Sequence, residues 1–192
     1  KLDKVDRRRI ATELEYEGSA AAQWPVAEAC YAGDLAAAIF HLRNDRDGAQ
    51  DIRRADAFGR TPMMLACSAG HLTVVRWLHK VGAADDVGGT TWRGSTCLSL
   101  ACRGGFLDTA TWILQALGPR SSIIHARKPD SGGLTPMHWA CAGGHIEICE
   151  LLRASGAGPD VRKLDREGYS PMWRAAQGGH GAICRWLLLH GA

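Results

Sequence analysis

Seven cysteines and eight histidines are the side chains of this 192-residue sequence best equipped for metal or redox chemistry. Cys67, Cys102 and Cys141 recur at one register, joined by Cys30 in a looser copy, while Cys149 and Cys184 share a second. A column of thiolates could ligate a soft metal or exchange disulfides. The spacings argue against both. There is no CxxC, and the Cys/His pairs at a ligand-like interval, such as Cys141 with His145 and Cys67 with His71, involve the histidine of the repeated Gly-His turn. Equivalent residues of stacked helical units sit about 8–10 Å apart, beyond the reach of a disulfide. Buried free cysteine packs as a small apolar side chain, and that is the role these residues fit. Phosphate-binding, dinucleotide, zinc-protease, nucleophile-elbow and kinase motifs are all absent from the sequence. The sequence therefore predicts no catalytic residue, no cofactor and no metal site.

The register that holds the cysteines belongs to a longer repeated pattern. Trp24-Pro25, Thr61-Pro62, Thr96-Cys97, Thr135-Pro136 and Ser170-Pro171 each precede a glycine nine positions on: Gly33, Gly70, Gly105, Gly144 and Gly179. Thr61, Thr96, Thr135 and Ser170 stand where an N-cap hydroxyl accepts from an open helix amide. Pro62, Pro136 and Pro171 occupy the first helical position, where a missing N–H costs nothing. Ala66, Ala101, Ala140 and Ala175 lie mid-helix, and their small side chains permit close helix approach. Apolar residues then recur at helical spacing, as in Leu72, Val75 and Leu78 or Ile146, Cys149 and Leu152. Gly82, Gly118, Gly156 and Gly191 follow as C-caps. A unit of about 33 residues, made of two short helices and a turn, is a stacked array.

The pattern resembles the ankyrin-repeat family. The resemblance is strongest in Asp56-Ala57-Phe58-Gly59-Arg60-Thr61-Pro62 with Gly70-His71 and Gly82-Ala83. It is equally strong in Gly133-Leu134-Thr135-Pro136-Met137-His138-Trp139-Ala140 with Gly144-His145 and Gly156-Ala157. It implies an all-α helix-turn-helix solenoid of about five repeats with hairpin-like loops, covering 24–192, near 24–55, 56–86, 87–127, 128–163 and 164–192. Residues 1–23 read as a charged leader in which Asp6 to Tyr16 could form a capping helix. The connections 44–55, 84–95, 119–134 and 158–169 are expected to be loops or fingers. The chain opens on Lys1 and closes where the family begins its next turn, so a longer protein is expected. His138 stands where the family braces neighbouring turns. Met64, Ser99 and Trp173 replace that histidine elsewhere, which predicts a less regular stack. Trp77, Trp112 and Trp186 form a column expected in the core. Arg174 is a misfit, because the family buries its register: it must reach solvent or find a partner.

The resemblance implies protein–protein recognition without chemistry, through finger tips and the exposed end of each first helix. The fingers offer Phe58 and Arg60, then Trp92, Arg93 and Ser95, then Leu134, then Arg166, Glu167 and Tyr169. The first helices add Arg103 and Gln177, with Ser68, Ala69 and Ala142. Phe58, Trp92 and Tyr169 stand out, since a turn tip seldom needs an aromatic side chain to fold and aromatics and arginine dominate binding hot spots. Arginines around aromatics suit a partner with acidic and apolar side chains. The alternative is a substrate-targeting module of a larger enzyme whose catalytic domain lies elsewhere.

Charge adds exclusions. The net charge is +3, and no segment concentrates positive residues. The Arg7-Arg8-Arg9 run sits among Asp3, Asp6, Glu13, Glu15 and Glu17 and reads as a solvated face. Nucleic acid is therefore not an expected partner, with Arg120, Arg127 and Lys128 the one local patch to check. No stretch is long and apolar enough to span a membrane, so membrane insertion is not expected, and the module is expected to be monomeric. An odd cysteine count with no secretory signal favours an intracellular, cytoplasmic or nuclear setting.

Overall fold

The computed structural model describes residues 25–44 and 51–192. The leader 1–23 with its arginine run, Trp24 and residues 45–50 of the 44–55 connection lie outside the described residues. Among those described, ten α-helices follow one another in five pairs, with no strand. The pairs are α1 (Pro25–Ala32) with α2 (Leu35–Asn44), α3 (Pro62–Ser68) with α4 (Leu72–Leu78), α5 (Cys97–Gly104) with α6 (Leu107–Arg127), α7 (Pro136–Gly143) with α8 (Ile146–Leu152), and α9 (Pro171–Gln177) with α10 (Gly181–Leu189). The molecule is an all-α repeat solenoid.

The first helices form the tight layer: α1 packs on α3, α3 on α5, α5 on α7 and α7 on α9. Alanine makes this possible, with Ala66, Ala101, Ala140 and Ala175 fully buried where the backbones approach. Met63, Leu98 and Met137 fill the space beside them, and Val75, Ile113, Cys149 and Leu187 come in from the second helices. The tryptophan column packs against this core, with Trp186 buried and Trp77 and Trp112 half-buried at its edge.

The helix starts use the expected devices unequally. Thr96 and Ser99 form a reciprocal capping box, with the Ser99 amide on Thr96 Oγ1 at 3.0 Å and the Thr96 amide on Ser99 Oγ at 2.8 Å. In α7, His138 takes the place of Ser99: its Nδ1 accepts from the Thr135 amide at 3.2 Å and lies 2.9 Å from the Thr135 hydroxyl. Ser170 accepts from the Trp173 amide at 3.3 Å. Thr61 departs from expectation. It keeps the extended cap backbone, but its buried hydroxyl has no bonding partner, and Met64 offers its amide no side-chain acceptor of the kind that Ser99 and His138 supply. Serine thus supplies at α5 part of the bracing whose loss the missing histidine predicted.

Between the two helices of each of the first four pairs the turn glycine is covered by the next pair's ring. Gly33 is covered by His71, Gly70 by Phe106, Gly105 by His145 and Gly144 by His180. His145 Nε2 lies 3.3 Å from the Arg103 carbonyl and His180 Nε2 lies 3.0 Å from that of Ala142. These contacts fasten turn to turn, and a side chain on any of these glycines would collide with the ring. The repeated histidines are structural.

The 119–134 connection is not the expected long loop. Helix α6 turns at Gly118 (φ 73, ψ 168) and continues as a second helical segment to Arg127. This segment is a strut along the outer edge. It turns Ala126 into the core, leaves Ile123 and Ile124 exposed, and sets Arg127 against Asp160 at 3.0 Å. Arg53 reaches Asp86 at the same register two pairs earlier, at 3.3 Å. Arg127 is therefore a bracing residue, and the proposed basic patch loses its middle member. The 84–95 and 158–169 connections open with 3-10 turns, Ala84–Gly88 and Gly158–Arg162, before their fingers.

Candidate protein-binding surface

Each finger is five residues long, and its shape follows from one side chain. Asp56 Oδ1 accepts from the amides of Phe58 and Arg60, both at 2.8 Å. Asp130 does the same for Gly132 and Leu134, and Asp165 for Glu167 and Tyr169, at 2.9–3.0 Å. A carboxylate that accepts two local amides is an Asx-type turn. The glycines Gly59, Gly133 and Gly168 take the left-handed backbone that closes it. The second finger differs: Thr91 replaces aspartate, and its hydroxyl accepts from the Ser95 amide at 3.1 Å.

Adjacent fingers are joined by single backbone bonds. The Trp92 amide donates to the Phe58 carbonyl at 3.2 Å, Ser131 to Arg93 at 2.7 Å and Arg166 to Gly132 at 2.9 Å. The four described fingers make one continuous strip.

The second oxygen of each finger carboxylate explains the misfit arginine. Asp56 Oδ2 receives Arg60 Nε at 2.7 Å. Asp130 Oδ2 receives Trp139 Nε1 at 3.2 Å. Asp165 Oδ2 receives Arg174 at 2.5 Å, and Arg174 also reaches Glu167 at 3.2 Å. Trp139 and Arg174 share the register of Leu65 and Leu100, nine positions after the finger's first residue. Arg174 is thus the donor that satisfies its own finger. Burial alone pushes the Asp165 carboxyl up, but the Arg174 hydrogen bond and charge, with the finger amides, hold it below the usual carboxylate range.

The sequence-predicted contact residues fall into three groups. Trp92 is 76% exposed, the most exposed of the described tryptophans, with its ring edge resting on Gly59, where a Cβ would lie 2.5 Å from Cδ1. Arg93 is exposed beside it, and Ser95 is half-buried in closing the finger. Phe58 is half-buried beneath the Arg60 guanidinium, 5.0 Å from its centroid. Arg60 is the correction in this group: at 9% exposure it is a bracing residue within the finger rather than a tip. In the middle, Arg103 lies over the Trp139 ring at 5.6 Å, and Leu134 is half-buried. At the last pair, Arg166 and Glu167 are exposed and Gln177 is half-buried. Tyr169 folds back, its ring stacked 3.7 Å from Trp173 with Arg174 above both. Phe58 and Trp92 are therefore neighbours, whereas Tyr169 belongs to a separate cluster two fingers away. Sequence reasoning missed Trp139 as a surface residue. Its register, shared with Arg174, was the available signal.

All seven cysteines are free, and all but Cys184 are buried. Burial pushes the Cys30 thiol up to about 12, and Cys67 and Cys102 rise as well. Thiols held protonated are poor ligands and nucleophiles. The separation expected between equivalent cysteines does not apply across registers: Cys141 and Cys149, from the two helices of one pair, approach to 3.7 Å. That contact, ahead of burial, raises the Cys141 thiol. No group of three or more His, Cys, Asp or Glu among the described residues is arranged to hold a metal ion. No described helix is long and apolar enough to cross a membrane.

Stacked helix pairs, glycine turns covered by the next ring and Asx-type fingers define a repeat scaffold of the ankyrin type. A family model of ankyrin repeats, three copies in length, matches residues 26–123 and 120–192. The chain belongs to the ankyrin-repeat family, whose members serve generally as protein–protein interaction modules and are typically non-catalytic. No curated protein matches it.

Proposed function

We propose that this chain is a non-catalytic protein-binding module whose contact surface runs along the finger strip and the exposed ends of the first helices. Trp92 carries the reading. It is a large aromatic, 76% exposed, on a finger whose backbone is tied to both neighbours. Burying such a side chain against a partner removes much apolar area from water, and a pre-ordered loop loses little conformational entropy on binding. Arg93, Arg103, Arg166, Glu167 and Gln177 complete the surface, with Phe58 and Leu134 as its apolar floor. Seven free cysteines fit a reducing, intracellular setting.

The test is capture of partners from cell lysate by the whole chain, compared with Trp92→Ala and Ile124→Ala. Ile124 is exposed on the outer strut, away from the fingers. Loss of a captured protein with Trp92→Ala alone supports the reading. A partner lost with Ile124→Ala and kept by Trp92→Ala overturns it.

A further inference from the structure

We propose, resting on the protein-binding reading above, that Trp92 takes an uncharged, extended segment containing proline, with the indole stacked on the pyrrolidine ring and its N–H bonded to a carbonyl of that segment.

The indole bears on this through its nitrogen as well as its face. Trp92 rests its pyrrole edge on Gly59, where a Cβ would lie 2.5 Å from Cδ1 and 2.9 Å from Nε1, and the residue stays 76% exposed. Its ring N–H has no acceptor among the described residues, whereas that of Trp139 is held by Asp130 Oδ2 at 3.2 Å. Solvent serves such a donor in the free protein. A partner that covers the ring must put an acceptor in the solvent's place or strand a buried donor.

Two kinds of acceptor are open, a carboxylate and a carbonyl. Local charge does not favour the first. Arg60 is spent on Asp56 at 2.7 Å. Arg93 and Arg103 already have interacting partners, and Asp130, bonded to two amides and the Trp139 N–H, keeps its charge beside them. The finger of Trp92 is itself closed by the neutral hydroxyl of Thr91. Charges around the indole are therefore matched within the chain, and an uncharged acceptor fits. The carbonyls of a helix or a sheet are taken by their own ladders. Those of a polyproline-type segment have no internal bonds. Proline sets a flat apolar ring next to such a carbonyl and has no N–H of its own to strand. Its fixed φ also means that the segment loses little freedom on docking. Aromatic side chains recognise proline-rich segments in this way.

The experiment pans a random peptide library displayed on phage against the whole chain, and keeps the clones that Trp92→Ala loses. Proline beside uncharged apolar residues is expected to recur in them. The strongest, made as a labelled peptide, is then titrated by fluorescence anisotropy against wild type and Trp92→Phe, with circular dichroism confirming the fold of each. Trp92→Phe keeps an aromatic face but removes the N–H, and is expected to bind about fivefold more weakly. Replacing the peptide's proline by alanine is expected to weaken binding to wild type, and added salt to leave it unchanged. Clones that need Trp92 but lack proline, or that are acidic and lose affinity with salt, overturn the proline ligand and leave the surface standing. Equal binding by Trp92→Phe and wild type, or by the alanine peptide and its parent, does the same. Recovery of no clone that depends on Trp92 overturns the surface and the ligand together.

Discussion

Arg174 and His138 show how single residues settle the finger-to-helix joint. Arg174→Met strands the buried Asp165 carboxylate with its two amides alone. Losing one member of a buried pair costs about 3 kcal/mol or more, measurable as a lower urea midpoint at neutral pH. Because Asp165 is held below its unfolded value of about 4, its contribution is present above that value and disappears as pH falls through the folded value. The gap between wild type and Arg174→Met should therefore close toward strongly acidic pH, and a gap that stays constant would show that Arg174 acts by packing alone. His138 works on a different window. Burial holds its ring below the ordinary histidine value, more strongly than the Asp165 carboxylate pulls it back. The unfolded chain thus takes up that proton first, and stability falls as pH drops below about 6.5. Substituting serine, which caps the neighbouring helix start in the same way, should flatten that dependence in urea titrations between neutral pH and about pH 5. An unchanged slope would move the effect to His125, which burial lowers in the same direction.

At the scale of elements, Gly118 is the sharpest prediction. Its backbone (φ 73, ψ 168) lies where residues with a Cβ are strained, although nothing occupies the space a Cβ would fill. Gly118→Ala should cost about 1–3 kcal/mol through backbone strain alone, read as a lower melting temperature. Gly88→Ala, with negative φ and ordinary contact distances, is the near-neutral control. The same element marks the limit of what the sequence could reveal. The caps, the alanine column, the turn glycines and the fingers were legible because each depends on residue type at fixed local spacing. The strut was not, since Gly118-Pro119 reads locally as a helix stop, and only packing of Ala126 and the Arg127–Asp160 pair shows that helix resumes. The surface was half legible for a similar reason. Spacing placed Trp92 at a tip, but whether Arg60 and Arg174 turn outward depends on the carboxylate oxygen each one fills, and whether Tyr169 does depends on the Trp173 ring it stacks on, and these are three-dimensional facts.

The molecule as a whole is a stack in which stability comes from neighbour contacts, without a central core to unfold at once. Its thiols report on this. Cys184 is the one cysteine not buried, so a thiol reagent applied to native protein should modify it first, with the other six reacting only as pairs open. Mass spectrometry of the labelled chain would read the order. Early labelling of Cys67 or Cys102, at the centre of the tight layer, would contradict the packing described.

The finger strip also acts as a ruler. From Asp56, Thr91, Asp130 and Asp165, the next helix cap always lies five positions on, at Thr61, Thr96, Thr135 and Ser170. Of the units that start at these fingers, the chain's third, from Thr91, is the longest, and all its surplus falls elsewhere. Thr96 to Gly118 spans 22 positions where Thr135 to Gly156 spans 21, and Gly118 to Asp130 spans 12 where Gly156 to Asp165 spans 9. Growth is thus permitted along the outer edge and forbidden at the fingers. A reporter domain grafted between Arg120 and Ser121 should leave the fold intact. A single alanine inserted between Asp165 and Ser170 would throw the last pair out of step.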